Sequence, residues 1–295
     1  MDISSLMKEN AAALMPALEE NLKTPDESLE TLYSAMRYSA LSGGKRIRPY
    51  LVNRFCRLFG GDEKAAIPFE CAIEYVHASS LIHDDMPCMD NDDLRRGKPT
   101  NHVVYGEDIA LLAGDALITR GYEIAATNPF VSPEIALHAT KLILGNAGGE
   151  GMMGGQQIDL LAEREKPSYE LLLKMHEKKT GALIRTAALL GCAAAGIIDE
   201  TDERYKAADE YARGIGLAFQ IIDDILDVEG DAAILGKAVH ADAKEGKTTF
   251  ISFMTPAKAR EYARQVTENA ADAIRKYPAS DELVEFAYFL LKRNK

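Results

Sequence analysis

Two clusters of aspartates are the residues of this sequence best suited to chemistry. The cluster nearer the C-terminus contains Asp223, Asp224 and Asp227 and ends an apolar stretch. In a helix, Asp223 and Asp227 would lie about one turn apart on the same face, with Asp224 beside them. Carboxylates placed in this way repel each other unless they share a cation, and their hard oxygens select Mg²⁺ or Ca²⁺. For this cluster alone, a solvated helix end is an equally good interpretation.

The cluster nearer the N-terminus contains Asp84, Asp85 and Asp90 and is followed directly by more acidic residues. Asp84 and Asp90 do not lie on one face of a helix, so their carboxylates converge only if the chain bends between them. Pro87 supplies this bend, because proline cannot continue a helix. The cluster follows an apolar helical stretch rather than a hydrophilic tail, which argues against a solvated surface loop. We therefore predict a metal site here as well.

Basic residues stand near these clusters. Arg95 and Arg96 follow the first cluster, and their planar guanidinium groups fit phosphate oxygens. The stretch 43–49 begins with two glycines, which let the backbone approach an anion, and Lys45 and Arg48 add positive charge to it. Mg²⁺ prefers one or two carboxylates together with phosphate oxygens. The combination predicts two diphosphates, one bound through metal and one bound by side chains.

The elements that must position these residues are helices. Helix-forming residues dominate, and the alternating pattern of a strand is nearly absent, so the sequence predicts an all-α fold. Glycines and prolines divide the chain into roughly ten or more helices. No linker rich in Ser, Gly and Pro separates two halves, which favours a single domain over residues 1–295. The predicted breaks lie at 24–25, 43–44, 60–61, 87, 97–99, 128–129, 148–155, 166–167, 230, 236 and 277–278.

Composition excludes several classes of function. The formal net charge of −12 argues against a nucleic-acid partner, because a phosphate backbone selects basic surfaces. The four cysteines lack the spacing of a zinc site or a disulfide framework, which fits a reducing cytoplasm. The N-terminus lacks the pattern of a signal peptide. The most apolar stretch, 187–198, is shorter than the roughly 20 residues that span a bilayer. We therefore expect a cytoplasmic protein without a membrane span.

In order and spacing, the motifs resemble those of the trans-isoprenyl diphosphate synthases, from the region of Glu30 to the C-terminus. The short-chain branch, which makes C15 or C20 products, is the most similar. Pro87 and Cys88 inside the first aspartate cluster resemble the bacterial and plastid type. The resemblance implies a helical bundle around a central cavity, Mg²⁺ as cofactor and a homodimer. The motifs that carry it are 43–49, 80–97, 154–156, 179–181, 219–227, Lys237 and Lys247.

The resemblance also implies roles for individual residues. The Mg²⁺ ions would be held by Asp84, Asp85, Asp90, Asp223, Asp224 and Asp227. The allylic substrate, which is dimethylallyl, geranyl or farnesyl diphosphate, would be bound by Arg95, Lys179, Lys237 and Lys247. Isopentenyl diphosphate would be bound by Gly44, Lys45, Arg48, His77 and Arg96. Thr180 and Gln220 would lie along the breaking C–O bond, and the catalytic set would be Asp84, Asp85, Asp223, Lys179, Thr180 and Gln220.

His77 also has a simpler interpretation. It lies in an apolar helix, and from the residues alone it is better explained as a histidine of the core. Only the resemblance assigns it to isopentenyl diphosphate.

Product length is predicted from the residues that precede the first cluster. Farnesyl-type enzymes of this branch typically carry an aromatic residue five positions before the first aspartate, where this chain has Ser79. Ser79 and Ser80 are both small, so the resemblance implies an open pocket floor and geranylgeranyl diphosphate (C20) as the main product. Farnesyl diphosphate (C15) is the alternative. A bulky residue from a neighbouring helix, such as the stretch 111–118, could close the pocket instead.

Three other functions share part of this pattern. A terpene cyclase ionises an allylic diphosphate with one aspartate cluster, but it has no need for Lys45, Arg48 or the second cluster. A non-catalytic subunit of a synthase typically has eroded aspartate motifs, whereas both are intact here. An acidic metal-binding helical protein is the simplest alternative.

Overall fold

A computed structural model describes residues 2–229 and 247–292 of the chain. In these ranges the chain is helical almost throughout, and its strands are β1 (Leu94–Arg95) and β2 (Lys98–Pro99), which pair antiparallel. The prediction of an all-α fold is therefore confirmed. Lys237, which the resemblance assigns to the allylic diphosphate, lies outside the described residues.

Four helices lead to the first aspartate cluster. Asp2 caps the first of them by accepting the backbone N–H groups of Ser4 and Ser5, and Asp62 caps the fourth by accepting that of Lys64. Such caps satisfy backbone donors that have no partner inside the helix. The helices are α1 (Ile3–Asn21), α2 (Glu30–Ala40), α3 (Ile47–Leu58) and α4 (Glu63–Asp84), with a 3₁₀ turn at Glu27–Leu29.

The middle of the chain contains six helices and one wide turn. Ser132 and Ser168 cap two of the helices by accepting backbone N–H groups three residues further on. The helices are α5 (Asn101–Tyr105), α6 (Glu107–Ala126), α7 (Pro133–Ala147), α8 (Met152–Ala162), α9 (Tyr169–His176) and α10 (Ala182–Ala194). A π-helical turn, Glu177–Gly181, joins α9 to α10.

The C-terminal part carries the second aspartate cluster on a long helix. Its elements are α11 (Glu203–Glu229), a 3₁₀ turn (Phe250–Ser252), α12 (Pro256–Arg275) and α13 (Asp281–Leu291). Over the residues that the structure describes, none of the helices has the length and hydropathy that crossing a membrane requires.

Helix α10 lies at the centre of the bundle. All of its residues except Arg185 are buried, and it packs against α3, α4, α7 and α11. Gly191 permits the close approach of α3, because a Cβ atom at this position would lie 2.5 Å from Cβ of Phe55 and 2.6 Å from the carbonyl oxygen of Val52. Helix α3 begins inside the stretch 43–49, called the glycine-basic stretch below, so this packing anchors that stretch to the core.

One predicted break is wrong in part. The run 148–155 was expected to interrupt the helices, but α8 begins at Met152, so Gly154 and Gly155 lie inside a helix. The physical reason is close packing. A Cβ atom on Gly155 would lie 2.1 Å from the backbone nitrogen of Lys179, so glycine at this position lets α8 touch the π-helical turn.

A buried carboxyl group joins the first helices of the bundle. Glu70 on α4 is only 2% exposed and accepts hydrogen bonds from Nδ2 of Asn53 on α3 at 3.3 Å and of Asn10 on α1 at 3.4 Å. Burial raises the pKa of Glu70 to about 7, and the two amides oppose this shift only in part. A native carboxyl group with a raised pKa binds its proton more tightly than the same group in the unfolded chain.

Replacement of Glu70 should therefore change how stability depends on pH. Between about pH 4.5 and 7 the folded state binds more protons here than the unfolded state, so this group lowers the free energy of unfolding as pH rises. Glu70→Gln cannot ionise, and its stability relative to wild type should increase by up to about 3 kcal/mol from pH 5 to pH 8. Urea unfolding at both pH values measures this. Exposed Glu9→Gln is the control, and equal pH dependence in the two variants would contradict the prediction.

Candidate active site

The first aspartate cluster begins where α4 ends. The backbone N–H of Asp90 donates to the carbonyl oxygen of Asp84 at 2.9 Å, so the chain folds back across Pro87 and the predicted bend is confirmed. The side chain of Asp84 is partly buried, and Nε2 of Gln156 on α8 donates to its Oδ1 at 2.5 Å. The bend therefore brings the two ends of the cluster together beside α8.

The electrostatic environment of this cluster is set by burial and by lysines. Burial raises the pKa of Asp84 to about 6; Lys179 opposes this shift and the charge of Asp90 adds to it. Burial also raises the pKa of Asp90, against the influence of Lys179 and Lys247. Half-buried carboxylates of this kind are stabilised in their charged form by a nearby cation.

Helix α11 carries the second cluster. Asp223 is partly buried, whereas Asp224 and Asp227 are 5% and 2% exposed. Oδ2 of Asp224 accepts the backbone N–H of Phe250 at 2.7 Å. Oδ1 of Asp227 is buried and has no hydrogen-bond partner among the described residues. A buried carboxylate oxygen without a partner is costly unless a cation or donor reaches it, so the cluster fits a metal ion.

The carboxylates do not form a complete cage. Among residues 2–229 and 247–292, no three carboxylate, thiol or imidazole groups lie close enough together to hold a metal ion on their own. Mg²⁺ does not require such a cage, because it commonly takes one or two carboxylates and fills its octahedron with phosphate oxygens and water. The donors present fit Mg²⁺ ions that are shared with a diphosphate.

Arg46, in the glycine-basic stretch, has a structural role. It has a left-handed backbone with φ 47°, and it forms a buried ion pair with Glu74 and donates from Nη2 to the carbonyl oxygen of Ala40 at 2.7 Å. This buried pair fixes the stretch between α2 and α4. It also leaves the flanking Lys45 and Arg48 on the wall of the cavity described below.

Arg96 holds the two-stranded hairpin against the same stretch. Its Nη1 donates to the carbonyl oxygens of Gly43 and of Ser42, the latter at 3.2 Å. Gly44 has φ 139°, and a Cβ atom there would lie 2.5 Å from Nη1 of Arg96. Glycine is therefore required here for both the backbone conformation and the close approach of the guanidinium.

Arg48 and His77 stand side by side on the cavity wall. Burial lowers the pKa of Arg48 to about 10, so it keeps its positive charge at neutral pH. Burial, followed by the charge of Arg48, lowers the pKa of His77 well below its ordinary value, so its imidazole is neutral. His77 is partly buried and is among the residues that line two cavities.

The π-helical turn presents Lys179 and Thr180 to the same cavities. Nζ of Lys179 lies 2.5 Å from Oδ2 of Asp159 on α8. Burial alone would lower the pKa of Lys179, but the charges of Asp159 and Asp84 outweigh it and the pKa is raised. Lys179 therefore stays charged in a partly buried position. A π-helical turn is rare and occurs often at functional sites, because it changes the direction of side chains within a helix.

Most of the predicted substrate-binding residues line one cavity of about 710 Å³. Its walls come from the glycine-basic stretch, α4, the hairpin, the π-helical turn and α11. The predicted residues on its walls are Gly44, Lys45, Arg48, His77, Arg95, Arg96, Lys179, Thr180, Gln220 and Asp223. The predicted metal ligands and cations that are described but are not among the residues lining it are Asp84, Asp85, Asp90, Asp224, Asp227 and Lys247.

A second cavity of about 400 Å³ adjoins the first and shares Lys179 and Thr180 with it. Asp84 stands on its wall, and its predominantly apolar lining continues along α4 and α8. Ser79 and Ser80, to which the resemblance assigns the control of chain length, are among its lining residues. The bulky residues of α8 that share this lining are Met152, Met153, Gln156, Gln157 and Leu160.

The stretch 111–118, expected as an alternative floor, is not part of this lining as far as the described residues go. Leu111 and Leu112 are instead exposed. The neighbouring helix that contributes bulky residues to this lining is α8, which packs beside the π-helical turn.

Sequence reasoning missed Asp159. It pairs with Lys179, and its charge acts on both Asp84 and Asp90. Asp159 is isolated in an apolar helix and belongs to no acidic cluster. The available signal was its spacing from Gln156 of the motif 154–156, because positions three apart share a helix face.

Comparison with known proteins identifies the class to which this fold and cavity belong. Residues 29–289 match the family model described as polyprenyl synthetase, and the chain belongs to that family. This confirms the resemblance seen in the motifs.

Three similar proteins illustrate the relationship. The chain is 40% identical over 299 residues to geranylgeranyl pyrophosphate synthase 7, chloroplastic, of Arabidopsis thaliana, covering 99% of this chain and 84% of the relative. Geranylgeranyl pyrophosphate synthetase of Pyrococcus horikoshii superposes with a TM-score of 0.88 at 32% identity, covering 99% of this chain and 98% of that one. A geranyltransferase of Helicobacter pylori, solved with magnesium and isoprenyl diphosphate, gives 0.86 at 30% identity and 99% coverage of both chains.

The contact between α8 and the π-helical turn yields a test of the site. Gly155→Ala should displace the backbone at Lys179, because a Cβ atom would lie 2.1 Å from its nitrogen. We expect a loss of about 1–3 kcal/mol in stability and a roughly tenfold or larger fall in kcat. Denaturant unfolding and prenyltransferase assays measure these two effects.

Gly145→Ala is the matched control, because a Cβ atom at this position of α7 would have no neighbour within 4 Å. It should keep wild-type activity and gain a few tenths of a kcal/mol or more from helix propensity. If both variants behave alike, the close approach at Gly155 does not position Lys179.

Proposed function

We propose that this chain is a Mg²⁺-dependent prenyltransferase that joins an allylic diphosphate to isopentenyl diphosphate, with geranylgeranyl diphosphate as its main product. The observation that carries the proposal is the cavity of about 710 Å³, whose walls carry two sets of cationic side chains and Asp223. It adjoins the predominantly apolar cavity whose wall carries Asp84. One set suits a diphosphate that leaves, and the other suits a diphosphate that stays on the second substrate.

The leaving group is the allylic diphosphate. Arg95, Lys179 and Lys247 are the cations assigned to it, together with Lys237 outside the described residues. The Mg²⁺ ligands proposed from the sequence are the three aspartates of each cluster, and Mg²⁺ would neutralise the charge that develops on the leaving oxygens. Lys179 is held by Asp159 at 2.5 Å, so its ammonium is already oriented when the C–O bond breaks.

The second substrate is isopentenyl diphosphate. Gly44, Lys45, Arg48, His77 and Arg96 are the residues assigned to it. Arg48 remains charged, and the neutral His77 can donate one hydrogen bond to a phosphate oxygen. This diphosphate is bound by side chains, and it is retained because its C–O bond is not allylic and would give no stabilised cation on breaking.

The reaction forms a carbocation, and the lining must protect it. Thr180 and Gln220 line the cavity, and their side-chain oxygens can stabilise the allylic cation. The double bond of isopentenyl diphosphate attacks this cation, and the departing diphosphate is the base that takes the proton. Met89, Met152 and Leu160 line the adjoining cavity, where an apolar chain can lie without water that would quench the cation.

Removal of one metal ligand from each cluster tests the proposal. Asp84→Asn and Asp223→Asn should each lower kcat by roughly a hundredfold or more without unfolding the helices, because charge on the leaving diphosphate is no longer neutralised. Exposed Asp93→Asn in the same acidic run is the control and should retain activity. Chromatography of products from labelled isopentenyl diphosphate with each allylic starter is the assay.

Other results of that assay favour the alternatives. A hydrocarbon formed from allylic diphosphate alone indicates a terpene cyclase, and no product with any starter indicates a non-catalytic subunit. Near-normal turnover in both Asp84→Asn and Asp223→Asn contradicts the proposed roles of the clusters.

Product length is tested at Ser79, which is 1% exposed and lines the second cavity, of about 400 Å³. A tyrosine there would place a ring about one and a half helical turns from Asp84, where the growing chain must pass. Ser79→Tyr should therefore shift the main product from C20 to C15 or shorter, and Ser79→Ala should keep C20. Chromatography of the dephosphorylated products decides. If the parent enzyme stops at C15, or the tyrosine variant still makes C20, then Ser79 does not set product length.

The proposed assembly is a homodimer in the cytoplasm. Exposed apolar side chains on three successive helices support an interface between copies: Leu111, Leu112, Leu137, Leu144, Met153 and Leu161. Four free cysteines suit a reducing compartment. Sedimentation equilibrium that gives a monomer would contradict the dimer, and cell fractionation addresses the location.

A further inference from the structure

The π-helical turn separates the substrate cavities from a third cavity. Lys179 and Thr180 line the substrate cavities, whereas Glu177, Lys178 and Gly181 line the third one, of about 600 Å³. The described residues that line this third cavity, called the rear cavity below, line neither of the other two. A cavity rather than close-packed core therefore lies behind part of the turn. Packing of the core does not hold that part in place.

Two polar contacts between residues of the rear cavity hold the turn instead. Nη1 of Arg213 on α11 donates to Oε1 of Glu177 at 2.7 Å. Nζ of Lys178 donates to the carbonyl oxygen of Glu150, which precedes α8. The rear side of the turn is thus connected to α11 and to the start of α8.

Arg213 is itself fixed by a carboxylate. Asp209, one turn earlier on α11, accepts Nε of Arg213 at 3.0 Å and also accepts Nε of Arg185 on α10. The guanidinium of Arg213 is therefore already oriented when it meets Glu177. The side chains of Arg213 and Glu177 are 48% and 61% exposed, so water weakens their attraction. The effect of this ion pair is mainly on geometry and only slightly on global stability.

Glycines let α11 approach the turn closely beside this ion pair. A Cβ atom on Gly216 would lie 3.3 Å from Cα of Gly181. Gly216 precedes Gln220 by about one helical turn, and Gly181 directly follows Thr180. The glycine contact and the ion pair together form a joint between α11 and the turn. This joint sets the position of Thr180 relative to Gln220.

We propose that Glu177, Arg213 and Gly216 are positioning residues for the breaking of the allylic C–O bond. They hold the π-helical turn against α11, so that Lys179 and Thr180 keep their places relative to the residues of α11 that line the large cavity. As far as the structure describes the chain, none of the three lines a substrate cavity, so each acts through other residues. The inference rests on the proposed function, because it concerns the residues assigned to the allylic diphosphate. A displacement of about 1 Å at such residues is enough to slow chemistry.

Single-turnover kinetics test the ion pair. Rapid quenching of enzyme saturated with allylic diphosphate and labelled isopentenyl diphosphate measures the chemical step without product release. Arg213→Gln and Glu177→Gln should each lower its rate constant about two- to fivefold, with KM for both substrates within about twofold of wild type. Arg213→Lys should keep most of the rate, because its ammonium can still pair with Glu177.

Two comparisons show whether the ion pair acts as a unit. The double variant Arg213→Gln/Glu177→Gln should be no slower than the slower single variant, because each substitution already removes the same contact. The matched control is the exposed pair of Arg264 and Glu261 within α12, 2.7 Å apart, whose glutamine variants should keep the wild-type rate. Equal rates in Arg213→Gln and Arg264→Gln would overturn the proposal.

Two glycines of α11 separate positioning from stability. A Cβ atom on Gly214 would lie 2.7 Å from Cβ of Ala270 on α12, which is closer than the 3.3 Å contact at Gly216. Gly214→Ala should therefore have the lower melting temperature, and Gly216→Ala should have the lower single-turnover rate constant, by roughly three- to tenfold. A purely structural role predicts the same order of the two variants in both measurements. If Gly214→Ala does not fold, the ion-pair variants still decide.

Failure of this inference can be told apart from failure of the proposed function. Wild-type protein that forms no prenyl product with any allylic starter contradicts the proposed function and this inference together. An active wild type, with unchanged single-turnover rates in Arg213→Gln, Glu177→Gln and Gly216→Ala, overturns this inference alone.

Discussion

The site depends on balancing several carboxylates and cations that are partly removed from water. Lys179 lies at the centre of this balance, 2.5 Å from Asp159 and close enough to act on Asp84 and Asp90. Without its charge, these three carboxylates would repel each other in a region where water screens weakly. The packing of α8 on the π-helical turn keeps Lys179 in this position. The core of the bundle therefore determines the electrostatics of the cavity.

The sequence predicts the features that depend on local spacing. The helices, the bend at Pro87 and the one-turn separation of Asp223 and Asp227 follow from residues close together in the chain. Long-range partners are different. Nothing adjacent to Asp85 indicates that Arg95 will engage both of its oxygens, and Asp224 meets Phe250 across 26 residues. Such contacts are set by how helices pack, which local patterns do not encode.

Arg46 and Arg48 show the same limit within one motif. Both belong to the glycine-basic stretch, and composition gives no reason to separate them. Both are among the residues that line the large cavity, but Arg46, with its left-handed backbone, forms a buried ion pair with Glu74. Nε of Arg48 is buried and has no hydrogen-bond partner among the described residues. Arg46 thus holds the stretch in place, and Arg48 keeps a donor that an anion can use.

The π-helical turn at Glu177–Gly181 can be regarded as an α-helix that has gained one residue. Deletion of any single residue from it would restore a regular helix and rotate everything on one side by about 100° relative to the other. Lys179 and α10 could then no longer keep their present partners at the same time. Across evolution, the π-helical turn between α9 and α10 should therefore tolerate substitutions far better than insertions or deletions.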